Sequence, residues 1–134
     1  MRILADTHIL VWAFQDSPKL TDEMRNILLN PENTIYYSVI NIWEIALKHD
    51  VQPSSIDFDE KYFGELCEEA GFILLNVKPE HIYTVRTLSK PDNAPRHKDP
   101  FDKLLLAQAK SEGMEFMTSD RILPYYNESC IIAV

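Results

Sequence analysis

Five carboxylates give this chain its chemistry: Asp6, Glu44, Asp99, Asp102 and Asp120. Carboxylates that converge on one place repel one another, and they stay ionised together only where a cation compensates them. Hard divalent cations with oxygen ligands, Mg2+ or Mn2+, suit such a set. Asp6 follows the apolar run Ile3-Leu4-Ala5, and Asp120 follows Met117-Thr118-Ser119. Asp99 and Asp102 stand three apart at a helix start and so share one face. Asp102 carries the strongest signal. Its helix reads Leu104-Leu105-Leu106-Ala107, apolar almost all round and therefore buried, and a carboxylate there needs a partner. Lys98, Lys103 or a metal shared with Asp6 can supply it.

Each acid taken singly also has a plainer reading. Asp6 and Asp120 read as turn formers or helix caps, and Asp99 before Pro100 reads as an N-cap. Glu44 falls on a polar stripe with Asn41 and Lys48 and forms an ordinary i,i+4 pair with Lys48. The four histidines show no metal-type spacing and read as surface or packing residues, with His97 the best exception because it adjoins Asp99.

The elements that must position these acids alternate along the chain. Apolar or β-branched runs predict strands at 3–5, 34–37, 72–77, 115–118 and 131–134. Helices are predicted at 9–14, after the Thr21 cap, from the Ser38 cap to about 49, over 59–70, from Pro79 and over 101–112, closed by Gly113. Tyr62, Phe63, Leu66 and Cys67 form the inward face of one helix, and Ile82, Val85 and Leu88 that of the next. Trp12, Phe14, Tyr36, Tyr37 and Trp43 read as core. Short apolar strands between helices give an α/β sandwich with a mainly parallel sheet, which binds ligands beyond the carboxyl ends of its strands. Asp6 and Asp120 would face that same edge.

The chain has 134 residues, 46% hydrophobic and 25% charged, which fits one globular domain over 1–134 and argues against disorder. Its net charge of -8 excludes bulk electrostatic binding to nucleic acid or anionic membranes. The charge is uneven. From Lys78 to Lys110, 7 basic residues face 4 acidic ones, and Arg96-His97-Lys98 is a candidate contact for an RNA backbone or else a solvated loop. No signal peptide or membrane-spanning stretch is evident, and Cys67 and Cys130 read as free buried thiols of a cytoplasmic protein. With only Gly64, Gly71 and Gly113, no phosphate-cradling glycine loop exists.

Four segments in order resemble the PIN-domain nucleases, and within them the VapC-type toxins of toxin–antitoxin pairs: Leu4 to Trp12, Ser38 to Ala46, His97 to Ala109 and Met117 to Asp120. The resemblance covers essentially the whole chain, and the third segment is its most specific part. It implies a three-layer α/β/α sandwich and a Mg2+- or Mn2+-dependent endoribonuclease using one or two ions. The acidic set of the family falls on Asp6, Glu44 and Asp102, with Asp120 as a fourth and Asp99 as an auxiliary acid. Thr7 and Thr118 or Ser119 match hydroxyls that orient carboxylates or water, while His8 stands where many members carry Asn. The resemblance further implies a homodimer inhibited by a cognate antitoxin.

Other readings compete. A housekeeping PIN ribonuclease of RNA maturation would lack a neighbouring antitoxin reading frame, and a catalytically silent PIN-like binding module would fail a metal-dependent cleavage assay. A phosphate-signalling receiver domain needs an Asp closing its central strand, where the run at 34–37 ends in Ser38. Haloacid-type phosphatases need a second Asp two residues after the first, where His8 stands.

Overall fold

The computed structural model describes residues 1–134. The strands are β1 (Arg2–Ala5), β2 (Thr34–Ser38), β3 (Ile73–Leu75), β4 (Glu115–Thr118) and β5 (Ile131–Ala133). The helices are α1 (Thr7–Phe14), α2 (Asp22–Leu29), α3 (Val39–Val51), α4 (Glu60–Glu69), α5 (Pro79–Val85) and α6 (Pro100–Glu112). All strand pairs are parallel, in the order β3-β2-β1-β4-β5.

Alternation along each strand sorts the side chains between two cores. Ile3, Ala5, Ile35, Tyr37 and Met117 face one side, where they pack with Leu10, Met24, Phe63 and Cys67 of α1, α2 and α4. Leu4 and Phe116 face the other, where they meet Leu105, Leu106 and Ala109 of α6 and Leu88 beyond α5. The long α3 contributes Ile45 to the first core and Ile40 to the second. Helices therefore cover both faces, which is why β1 is apolar at every position after Arg2. The expected α/β/α sandwich of five strands is the observed one.

Local chemistry sets the element ends. Thr21 accepts from Met24 N at 3.2 Å and Asp59 from Tyr62 N at 2.9 Å, each an N-cap. Gly113 ends α6 at φ +67, a left-handed conformation that costs a residue with a Cβ about 1–2 kcal/mol.

Several expectations shift. Helix α1 begins at Thr7 rather than Ile9, β3 is confined to Ile73–Leu75, and α5 ends at Val85, so Leu88 packs from the loop beyond it. Tyr62 and Ile82 are exposed, because the buried stripes of α4 and α5 run through Phe63 and Cys67 and through His81. Trp43 is also exposed, meeting Phe101 edge-on at 4.8 Å. Asn41 is fully buried rather than on a solvated stripe, and Lys48 lies 3.1 Å from His8 Nε2 instead of pairing with Glu44. Both cysteines are free; Cys67 is buried and Cys130 only half-buried. No helix is long and apolar enough to cross a membrane.

A candidate metal centre at the carboxyl edge of the sheet

The strand order runs outward from β1 in both directions, so the crevice between β1 and β4 is a topological switch point. The register Ala5↔Met117 sets Asp6 beside Thr118. The hydroxyl of Thr118 donates to Asp6 Oδ2 at 2.7 Å and accepts from Asp120 N at 3.0 Å, joining the acids that follow the two strands. Asp6 is 2% exposed, and its other oxygen, Oδ1, is buried without a hydrogen-bond partner.

Glu44 arrives from α3, one helical face above Asn41. Thr7, at the first turn of α1, donates to Glu44 Oε1 at 2.6 Å and accepts from Asn41 Nδ2 at 2.8 Å. Asn41 Oδ1 in turn accepts from Ser38 N at 2.6 Å, which closes the capping box of α3 and fixes the amide orientation. Ser38 donates to Gln108 Oε1 at 2.6 Å, and Gln108 reaches His81, so the network continues into α6 and α5. Asn41, Ser38 and Gln108 were not singled out for the site from sequence. The signals were there: Asn41 holds the third capping-box position after Ser38, and Gln108 is a polar residue inside the apolar run of α6.

Asp99 caps α6, its Oδ1 accepting from Phe101 N at 2.9 Å and Asp102 N at 3.3 Å. Asp120 Oδ1 accepts from Ile122 N at 2.7 Å and Leu123 N at 3.0 Å. The capping readings of Asp99 and Asp120 thus hold alongside a place in the site. Asp6, Glu44, Asp99 and Asp120 are each pinned through one oxygen, which leaves a second oxygen free to face a cation. Asp102, 4% exposed, sits among them.

The electrostatics follow from this crowding. Burial, then the negative charges of Asp6, Asp99, Glu44 and Asp120, push the Asp102 carboxyl up to about 9. Burial also raises Glu44 to about 7, with the Thr7 hydrogen bond opposing it, and raises Asp6 against the Thr118 hydrogen bond. Without a cation the site favours protonated acids; with one, the ionised forms are compensated. Carboxylate atoms of Glu44, Asp99 and Asp102 lie within 4.8 Å of one another, as do ligand atoms of His97, Asp102 and Asp120. An oxygen-rich donor set with a buried, unpartnered Asp6 oxygen fits a hard divalent cation.

The remaining candidates divide. Ser119 is half-buried and makes no hydrogen bond to the acids, so Thr118 is the orienting hydroxyl of that pair. Arg96 and Lys98 are exposed, whereas the His97 side chain between them is turned inward and is 3% exposed. His8 has its basicity lowered by burial and by the Lys48 cation, against the opposing charges of Asp6, Asp99 and Asp120.

The family model described as PIN domain matches residues 3–128. No curated protein sequence matches the chain. Among solved structures, VapBC2 from Rickettsia felis bound to a DNA fragment from their promoter superposes with a TM-score of 0.69 at 16% identity, covering 100% of this chain and 99% of that one. A toxin–antitoxin complex from Klebsiella pneumoniae gives 0.62 at 16% identity, with 98% and 96% covered. FitAcB from Neisseria gonorrhoeae gives 0.55 at 19% identity, with 90% and 88% covered. With residues 3–128 matched and the sheet order, the two-sided helical cover and the acidic edge all in place, the chain belongs to the PIN domain family.

Proposed function

We propose that this chain is a Mg2+- or Mn2+-dependent endoribonuclease, the toxin of a toxin–antitoxin pair. The observation that carries the reading is the cage itself: four carboxylates, each anchored through one oxygen, surround the buried Asp102. Buried negative charge of this density is costly, and it is retained where a cation and a phosphate are to be handled. The toxin–antitoxin part of the reading is supported by the neighbours in fold, which come from such complexes.

Asp6, Asp102 and Asp120 would hold the ion, with carboxylate atoms of Glu44 and Asp99 also gathered within 4.8 Å of Asp102. A divalent cation supplies phosphate charge neutralisation and an acidified water in such a site. Thr7 keeps Glu44 Oε1 engaged, so its other oxygen would be the one available to an ion or to a water beside it. Thr118 holds Asp6 in one orientation while its Oδ1 stays free. Exposed Arg96 and Lys98 lie on the approach to α6 and offer two contacts to RNA phosphates. Beside the cage, Trp43, Leu47 and Val51 form an exposed apolar stripe at i, i+4, i+8 on α3, a surface suited to a covering antitoxin segment or a second copy of the chain.

The test is RNA cleavage by the purified chain with and without Mg2+. Asp6→Asn and Asp102→Asn should each remove cleavage while the circular dichroism of the fold is kept. Cleavage retained in EDTA, or in either variant, overturns the reading. Growth arrest on expression, relieved by a small neighbouring reading frame, separates a toxin from a housekeeping ribonuclease.

A further inference from the structure

The carboxylate cage leaves one of its neighbours unexplained. The side chain of His97 is 3% exposed, and its Nε2 is buried with no hydrogen-bond partner. That atom lies 3.8 Å from Asp102 Oδ2, too far for a hydrogen bond and close enough to share an ion. The opposite ring nitrogen, Nδ1, lies 3.2 Å from the hydroxyl of Tyr126, whose ring meets the imidazole edge-on at 5.7 Å. A proton on Nδ1 donated to Tyr126 leaves the Nε2 lone pair turned toward the acids, the arrangement of a metal-ligating histidine held by its other nitrogen.

With Nδ1 donating to Tyr126, the Nε2 lone pair and an ionised Asp102 repel each other, and a cation or a proton held between them removes that repulsion. One ligand atom each from His97, Asp102 and Asp120 falls within 4.8 Å of the others, a spacing that one ion with bonds of about 2.1 Å closes with small side-chain movement. Asp120 is already oriented for this by the Ile122 and Leu123 amides on its Oδ1. Imidazole donors favour transition ions, while Mg2+ prefers oxygen.

We propose that His97 Nε2 is a nitrogen ligand to a divalent ion shared with Asp102 and Asp120, so that the centre favours first-row transition ions over Mg2+, with Mn2+ as the paramagnetic probe. This rests on the metal-dependent reading of the site and adds a ligand to it. The two groups that share Asp102 then differ in kind: Glu44 and Asp99 offer oxygen alone, whereas Asp120 and His97 offer oxygen and nitrogen.

The experiment is Mn2+ binding to the full chain without RNA, followed by pulsed electron paramagnetic resonance. The expected result is a directly coordinated nitrogen signal that shifts when the histidines carry 15N. It persists in His8→Asn and disappears in His97→Gln, where Mn2+ affinity falls at least about tenfold and Mg2+ affinity hardly changes. Mn2+ held by oxygen alone, with Mg2+-dependent RNA cleavage intact, overturns the histidine assignment and leaves the nuclease reading standing. A chain that binds neither ion overturns both. Should His97→Gln fail to fold, the nitrogen signal of the unaltered chain and its survival in His8→Asn decide the matter.

Discussion

Asn41 Nδ2 donates to Thr7 Oγ1 at 2.8 Å, and this contact decides where the Thr7 proton goes. A hydroxyl has one hydrogen; with its acceptor side filled by Asn41, that hydrogen is directed to Glu44 Oε1, 2.6 Å away. Removing Asn41 therefore acts twice. Asn41→Ala leaves the buried Ser38 N–H without its acceptor and should destabilise the chain by about 1–3 kcal/mol in urea unfolding. Thr7→Val keeps the side-chain shape, loses the donor to Glu44, and should weaken divalent-ion binding roughly 10- to 100-fold by calorimetric titration. Equal metal affinity in Thr7→Val and the unaltered chain would show that the hydroxyl only packs.

Asp102 lies closest to the conflict between stability and chemistry. It is buried, and the charges of Asp6, Asp99, Glu44 and Asp120 all act against its ionisation. Asp102→Asn removes a group that the metal-free chain must either protonate or ionise against those charges. In EDTA the variant should be more stable than the unaltered chain, by on the order of 1 kcal/mol, while losing Mg2+-dependent cleavage. A lower melting temperature in EDTA would mean that the carboxylate is structurally required.

The metal-free chain should lose stability as pH rises. Folded-state values of about 9 for Asp102 and about 7 for Glu44 lie above those of the unfolded chain, so the native state binds the extra protons. The resulting penalty is absent below the unfolded values, near pH 4, and complete only above the folded ones. Melting temperatures in EDTA should fall between about pH 5 and pH 9, and added Mg2+ should restore them most at the alkaline end. A flat profile insensitive to Mg2+ would count against a cation-compensated cage.

Glu112 has the opposite sign. A hydrogen bond to the buried His81, 2.7 Å away, and the Lys78 cation hold its carboxyl below the usual range, against the opposing effect of burial. His81 Nδ1 accepts from Lys78 N at 3.0 Å, so Nε2 carries the proton donated to Glu112. A depressed folded value gives stability that is present above the unfolded value and lost as pH falls. The stability advantage over Glu112→Gln should therefore be largest near neutral pH and disappear through the acid carboxylate range, as read by urea unfolding at a series of pH values.

Arg96 and Lys98 point outward on either side of the inward His97. Replacing both with Ala should weaken single-stranded RNA binding and flatten the dependence of log K on log salt by about 1.4, at roughly 0.7 per lost phosphate contact. Filter binding across a salt series with a cleavage-dead Asp6→Asn background measures it. An unchanged slope would place the RNA path elsewhere.

Much of this architecture was legible in local patterns. Short apolar strands, caps at Thr21, Ser38 and Asp99, and the Gly113 stop are properties of neighbouring residues, and their elements formed with bounds moved by a few positions. Asp102 was legible because a carboxylate in an apolar helix is anomalous wherever that helix lies. The exposed Tyr62 and Ile82 were misplaced because helical spacing gives a stripe but not its centre, which packing alone sets.

What only the tertiary structure decided is which polar atoms meet. The amino-acid order determines that Asp6 and Thr118 end their strands; the parallel register of β1 with β4 makes them partners across 112 residues. Asn41 looked like part of a solvated face until the approach of α1 to α3 enclosed it. His97 lies between two exposed cations in sequence, and only its packing against Tyr126 and beside Asp102 shows that its own side chain is turned inward. Hydrogen bonds act over about 3 Å, and no spacing along the chain fixes a distance of that size between residues on different elements.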